Sequence, residues 1–149
     1  VKTKQKLYFA YGSNLLRKQM MHRCPHCRYI GLARLAGWKF EYDGICDDWS
    51  NMAVGNIVKS PNNEVWGAVY TLCESDINKL DGYEDYPTDY SRQSVAVSVQ
   101  PSGVKEHAFV YTRPAQKLGQ PSKRYEQTIL TGARQDGLPE AYVAEFLNV

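Results

Sequence analysis

The sequence lacks any long apolar run. Its longest wholly apolar stretch is about the length of Leu7–Tyr11, far short of the roughly 18 residues needed to span a bilayer, so no membrane association is expected. It shows no charged start followed by an apolar run and a small-residue cleavage site, so no export signal is visible. It also lacks a basic cluster. The 18 Lys and Arg against 16 Asp and Glu leave a net charge of +2, and beyond Lys2, Lys4 and Lys6 the basic residues are scattered. A nucleic-acid binder would concentrate them on one face, so no nucleic-acid partner is expected. Histidine is scarce, at three residues, and there is one C-x-x-C, Cys24-Pro25-His26-Cys27, while Cys46 and Cys73 stand alone. A structural zinc site usually needs two such half-sites or a spaced histidine pair. A thioredoxin-type pair needs a readable βαβ unit around it. The cysteines are therefore read as reduced thiols of a cytoplasmic protein. No metal ligands are assigned, and a metal or a disulfide at Cys24 and Cys27 is left open.

What is there is ordinary globular material. The chain is 43% hydrophobic and 23% charged over 149 residues, which excludes a disordered or collagen-like chain. No repeat, low-complexity tract or Pro/Gly/Ser linker divides it, so residues 1–149 are expected to form one domain. Residues 6–11 read as a buried strand stopped by Gly12, and the alternation of Trp38, Phe40 and Tyr42 predicts another. Met52–Val58 and Val65–Leu72 are β-rich runs separated by Ser60-Pro61-Asn62-Asn63, which predicts a hairpin turn. Ser94–Gln100 and Glu106–Thr112, joined through Pro101-Ser102-Gly103, predict a second hairpin. Helices are expected at 74–84, from Ser122 as cap to about Arg134, and from Pro139 onward. Antiparallel hairpins with a few helices predict an α+β fold whose sheet curls toward closure.

Three places could carry chemistry. In Tyr11-Gly12-Ser13-Asn14 a strand ends on glycine, which lets the backbone approach a ligand, and successive N–H groups there can hold an anion or an oxyanion. A plain turn explains the same residues. Ser13 is not set in a G-x-S-x-G elbow, so a serine nucleophile finds little support. On the 74–84 helix, Ile77, Leu80 and Glu84 share one face. Glu84 then sits at the end of a buried stripe, where desolvation raises a carboxyl pKa and suits it to acid–base work near neutrality. A structural Glu paired with an arginine or with backbone N–H groups fits the same pattern. Tyr125 lies on the apolar face of the Ser122 helix, where a core tyrosine is the usual reading.

Taken together, these pieces resemble the γ-glutamylcyclotransferase family. The resemblance rests on Tyr8-Phe9-Ala10-Tyr11-Gly12-Ser13-Asn14-Leu15, Glu64-Val65-Trp66-Gly67-Ala68-Val69-Tyr70 and Leu80-Asp81-Gly82-Tyr83-Glu84 with Tyr90 and Arg92. Arg124-Tyr125 and the run from Gly132-Ala133 to Gly137-Leu138-Pro139 complete it. It covers nearly the whole chain. It implies a small mixed, largely antiparallel β-barrel with flanking helices and a cavity, with no metal or cofactor, and many members of the family are dimers. It implies Glu84 as the catalytic acid/base. Tyr8, Phe9, Ala10, Tyr11, Gly12, Ser13, Asn14 and Tyr125 are the implied substrate-binding residues. Many relatives carry Gly where this chain has Asp85.

The implied reaction is intramolecular. The α-amine of a small γ-glutamyl substrate attacks its own γ-carbonyl, giving 5-oxoproline and a free amino acid, as in glutathione metabolism. Two alternatives stand beside it. One is the same ring closure on a γ-glutamyl amine or a γ-glutamyl-protected biosynthetic intermediate. The other is a non-catalytic module that binds a small metabolite or a protein.

Overall fold

A computed structural model describes residues 5–46, 49 and 51–148. Lys2 and Lys4 of the basic tail, and the side chain of Cys46, lie outside the described residues. Five strands form a closed barrel: β1 (Lys6–Ala10), β2 (Arg28–Cys46), β3 (Met52–Leu72), β4 (Ser91–Val99) and β5 (Val104–Thr112). Their order around the barrel is β1-β3-β2-β4-β5. All neighbours are antiparallel except β1 and β5, which close the barrel in parallel through Tyr8 and Phe109. Around it lie α1 (Arg17–Arg23), α2 (Glu74–Tyr83), α3 (Lys123–Gln135) and α4 (Glu140–Tyr142), the last continued by a π-helical turn at Val143–Leu147. Among the described residues, no helix is long and apolar enough to cross a membrane.

β1 is short but buried on both faces. Phe9 and Ala10 are fully inaccessible and Tyr8 nearly so, as expected of a strand flanked by a neighbour on each side and covered above and below. It crosses β3 so closely that a Cβ on Gly67 would stand 2.3 Å from the Ala10 carbonyl oxygen.

The hairpin expected at 60–63 is not there. β3 runs unbroken from Met52 to Leu72 and pairs with β2 on both sides of that segment. The register jumps from Ala36↔Glu64 to Trp38↔Lys59, so Ser60-Pro61-Asn62-Asn63 bulges outward opposite Gly37, whose φ is +85°. Proline has no N–H to give a ladder, and a bulge asks for none. A bulge and a turn thus draw on the same residues.

The second hairpin forms as expected, β4 pairing with β5 from Ser91↔Thr112 to Val99↔Val104. Ser122 caps α3, its Oγ accepting the Tyr125 N–H at 3.1 Å. Pro139 precedes the last helix as its cap and does not occupy its first turn. α1 has no counterpart among the elements expected from sequence; its one buried residue is Met20.

Candidate active site

β1 ends at Ala10, and the chain turns through Gly12 into a single 3-10 turn, Ser13–Leu15. α3 lies on that turn at backbone distance: a Cβ on Gly132 would sit 2.3 Å from the Leu15 carbonyl carbon. The turn is fixed from within by Asn14, which is 3% exposed. Asn14 Nδ2 donates to the Tyr8 hydroxyl at 3.1 Å, while its Oδ1 accepts from Gln19 Nε2 at 3.2 Å and from Arg23 Nη1 at 3.1 Å. Ser13 Oγ accepts from the same Gln19 amide at 2.8 Å. Its partner is therefore a donor and not a base, which gives no activation of a serine nucleophile.

The turn borders a cavity of about 420 Å³, within the range of small-molecule sites. Tyr8, Tyr11, Gly12, Ser13, Asn14, Glu84 and Tyr125 all line it. Phe9 and Ala10, expected among the binding residues, do not. They are the interior residues of β1, with no exposed surface, and a ligand has no access to them. The motif's contact with the cavity is made by Tyr8 and the four residues from Tyr11 on.

Glu84 follows directly on α2 and caps it, with φ −88° and ψ 0°. Its N–H still bonds to the Leu80 carbonyl at 3.0 Å, so the last turn of a helix anchored by buried Ile77 and Leu80 aims this residue. The side chain is partly accessible, and what it faces is the cavity. Burial pushes its carboxyl from an ordinary value near 4.5 up to about 7, against the pull of the Arg23 and Arg113 cations, with Asp89 adding to the rise. At neutral pH such a group is divided between its two forms and can both take and give a proton. Asp85, where the family resemblance expects glycine, has φ +51°. That is the left-handed region where Gly is at ease and Asp is one of the few tolerated alternatives. Asp85 therefore holds a backbone bend that glycine would take without strain.

The opposite wall comes from α3 and β3. The Tyr125 hydroxyl accepts the Gly55 N–H at 2.8 Å, and Tyr90 donates to the Gly55 carbonyl at 2.9 Å. A Cβ on Gly12 would stand 3.4 Å from the Tyr125 hydroxyl, so the turn and α3 meet across the cavity. Trp49 packs edge-on against Tyr125, with ring centroids 4.6 Å apart.

Several lining residues carry no signal in sequence spacing. Arg23 lines the cavity from the end of α1. Tyr111 lines it from β5, and its hydroxyl donates to Asp81 at 2.6 Å. Tyr11 donates to the Tyr111 carbonyl at 2.7 Å. Burial holds the hydroxyls of Tyr8, Tyr11, Tyr90 and Tyr111 above the ordinary phenol range, so they stay neutral hydrogen-bonding groups. Beneath them the buried Arg113 pairs with Asp43 and lies against the Tyr90 ring at 5.0 Å.

Comparison with known proteins matches this architecture. A family model described as the AIG2-like family covers residues 64–146. The chain is 33% identical over 140 residues to a "Gamma-glutamylcyclotransferase" of Homo sapiens, spanning 91% of this chain and 74% of the relative. A mouse protein of the same name is 32% identical over 141 residues with the same coverage. A solved structure titled "Gamma-glutamyl cyclotransferase" superposes with a TM-score of 0.89 at 31% identity, over 95% of this chain and 86% of that one.

Proposed function

The chain belongs to the γ-glutamylcyclotransferase family, and on that premise we propose that it closes the γ-glutamyl group of a small-molecule amide into 5-oxoproline. The observation that carries this reading is the meeting of Glu84, with its carboxyl near neutrality, and the Gly12–Asn14 turn at one cavity. The substrate's α-ammonium first loses a proton to the Glu84 carboxylate. The freed amine attacks the γ-carbonyl carbon, forming the ring C–N bond and a tetrahedral oxyanion. The ring nitrogen gives up its second proton as the bond to the leaving nitrogen breaks; with the first proton returned by Glu84, the leaving group departs as an ammonium and no net proton is consumed. Nucleophile and electrophile are already joined, so the protein's main task is orientation. The opening N–H groups of a helical turn have no partners within it, and those at Ser13 and Asn14 suit the substrate carboxylate or the oxyanion. Tyr11 and Tyr125 wall the pocket. No covalent intermediate is needed, consistent with the bonding of Ser13.

The same proposal extends to an acyl-transfer role in glutathione metabolism in the cytoplasm, a setting that suits the free thiols of Cys24, Cys27 and Cys73. It extends also to a homodimer, on the family resemblance.

Incubation with γ-glutamyl-alanine and with ε-linked γ-glutamyl-lysine, read for 5-oxoproline by mass spectrometry, tests the reaction and its leaving group together. Product from the first alone selects the amino-acid substrates, and product from the second alone selects the amines. A folded protein that binds these compounds and forms no 5-oxoproline refutes the reaction in favour of a binding module.

The pH profile is a second test. The acid limb of kcat/KM is expected to have its midpoint near pH 7, because the free enzyme's Glu84 must be ionised to accept the proton. Arg23 stabilises that ionised form, so Arg23→Gln should move the limb to higher pH. A limb centred near pH 4.5 in both proteins would remove Glu84 from this role.

A further inference from the structure

The C-P-H-C segment has no part in the cavity, yet it does not stand alone. It follows α1 directly, and two residues distant in sequence come to it: Cys73, which joins β3 to α2, and Asp76 in the first turn of α2. A ring nitrogen of His26, Cys73 Sγ and a carboxylate oxygen of Asp76 lie within 4.8 Å of one another.

Asp76 is fully buried. Its Oδ2 accepts the His26 backbone N–H at 3.0 Å. Its Oδ1 has no hydrogen-bond partner and faces His26 Nδ1 at 3.5 Å. An inaccessible carboxylate oxygen without a donor is costly and calls for an explanation. A cation between these groups supplies one. We propose that His26, Cys73 and Asp76 form a binding site for a borderline-soft divalent cation of the zinc class, each giving one ligand atom, with water in the fourth position.

The donor set selects the ion. One imidazole nitrogen, one thiolate and one carboxylate suit zinc or cobalt, whereas calcium and magnesium take oxygen ligands. On binding, the Cys73 S–H bond breaks, its proton leaves to solvent and the thiolate joins the metal. Thiolate and carboxylate then balance the two positive charges around a neutral imidazole.

Metal–ligand bonds of roughly 2.0–2.3 Å require the three atoms to draw closer than 4.8 Å. His26 can supply that movement, since its side chain is 69% exposed. Cys24 lies outside the trio, its thiol donating to the Asp76 carbonyl at 3.5 Å, while Cys73 Sγ lies 3.2 Å from the Ser75 hydroxyl, which can donate to the thiolate. Reading the cysteines from spacing alone assigned no ligands because the C-x-x-C half-site has no sequence partner. The partners come from α2 and its approach.

The position gives the site a consequence. His26 lies three residues after Arg23, and α2 carries Asp76 in its first turn and Glu84 as its C-terminal cap. A bound ion would tie together the two segments that deliver these cavity residues.

The test is a Co²⁺ titration of the purified full chain, stripped by chelator and kept reduced, followed by competition with Zn²⁺. One equivalent of Co²⁺ should give a thiolate-to-cobalt charge-transfer band that Zn²⁺ abolishes. Cys73→Ser should lose the band. His26→Ala, a change at an exposed side chain that leaves folding intact, should weaken Zn²⁺ binding by about tenfold or more. Zn²⁺ should raise Tm in the unaltered chain and not in His26→Ala. His22→Ala should behave as the unaltered chain. Absence of the band, its persistence in Cys73→Ser, or equal weakening by His22→Ala would each overturn the proposal. None of these readouts depends on cyclotransferase activity.

Discussion

Glu84→Gln should lose about 10²–10⁴ of kcat, the usual worth of a general acid–base, and should at the same time become harder to unfold. The two effects share one cause. The folded-state carboxyl is raised to about 7, above its value in the unfolded chain, so ionisation favours unfolding. The penalty is absent below about pH 4.5, grows as pH rises to about 7, and is constant above that. At pH 8 the amide should therefore be more stable than the acid by up to about 3 kcal/mol, which is about 6–12 °C in Tm for a chain of this size. At pH 4 the two should melt together. Enzyme assays and thermal melts at these two pH values check the pair. Full activity in a folded Glu84→Gln would exclude this residue as the base. An unchanged Tm at pH 8 would show that the carboxylate is not desolvated.

Gly132→Ala should be strongly destabilising although it lies within a helix. Alanine in place of a mid-helix glycine gains about 1 kcal/mol from propensity. The new Cβ would stand 2.3 Å from both the Leu15 carbonyl carbon and the Leu16 nitrogen. Both are backbone atoms, so no side chain can rotate away, and α3 or the Ser13–Leu15 turn must shift. Overpacking typically costs about 1–3 kcal/mol, and with only backbone to yield this contact belongs at the top of that range, so the clash outweighs the propensity gain. The displaced turn borders the cavity, so KM for a γ-glutamyl substrate should rise along with the loss of stability. Urea denaturation and steady-state kinetics measure the two. A variant as stable as the original would mean that the contact between α3 and the turn has slack.

The parts of the fold legible in sequence were those with a local cause. Two β-like runs either side of Pro101-Ser102-Gly103 marked β4 and β5, and the serine hydroxyl marked the start of α3. The 3.6-residue period placed Glu84 after Ile77 and Leu80. What stayed hidden depended on partners. Pro61-Asn62-Asn63 has turn composition, and only the continued pairing of β3 with β2 distinguishes a bulge from a hairpin. α1 buries a single methionine and so shows little amphipathic pattern. Within Tyr8–Asn14, the motif does not reveal that Phe9 and Ala10 face the core. Arg23, Tyr90 and Tyr111 reach the cavity from α1, the approach to β4, and β5, and no spacing along the chain links them. The same holds for Cys73 and Asp76 beside His26.

Closure of the barrel by β1 against β5 bears on how the protein is made. The Tyr11–Tyr111 hydrogen bond joins residues 100 positions apart, and contacts of such separation form slowly, after the entropy of a long loop has been overcome. A ribosome has already added the Gly12 turn and the whole of α2 to the chain before Tyr111 exists. Until β5 arrives, β1 has one open edge, a template for pairing with another chain, and the cavity lacks a wall. Glu84 is then solvated, with the acidity of any surface glutamate. The carboxylate is synthesised early and acquires its basicity last, so a chain truncated before β5 would carry most of the recognisable motifs and none of the chemistry.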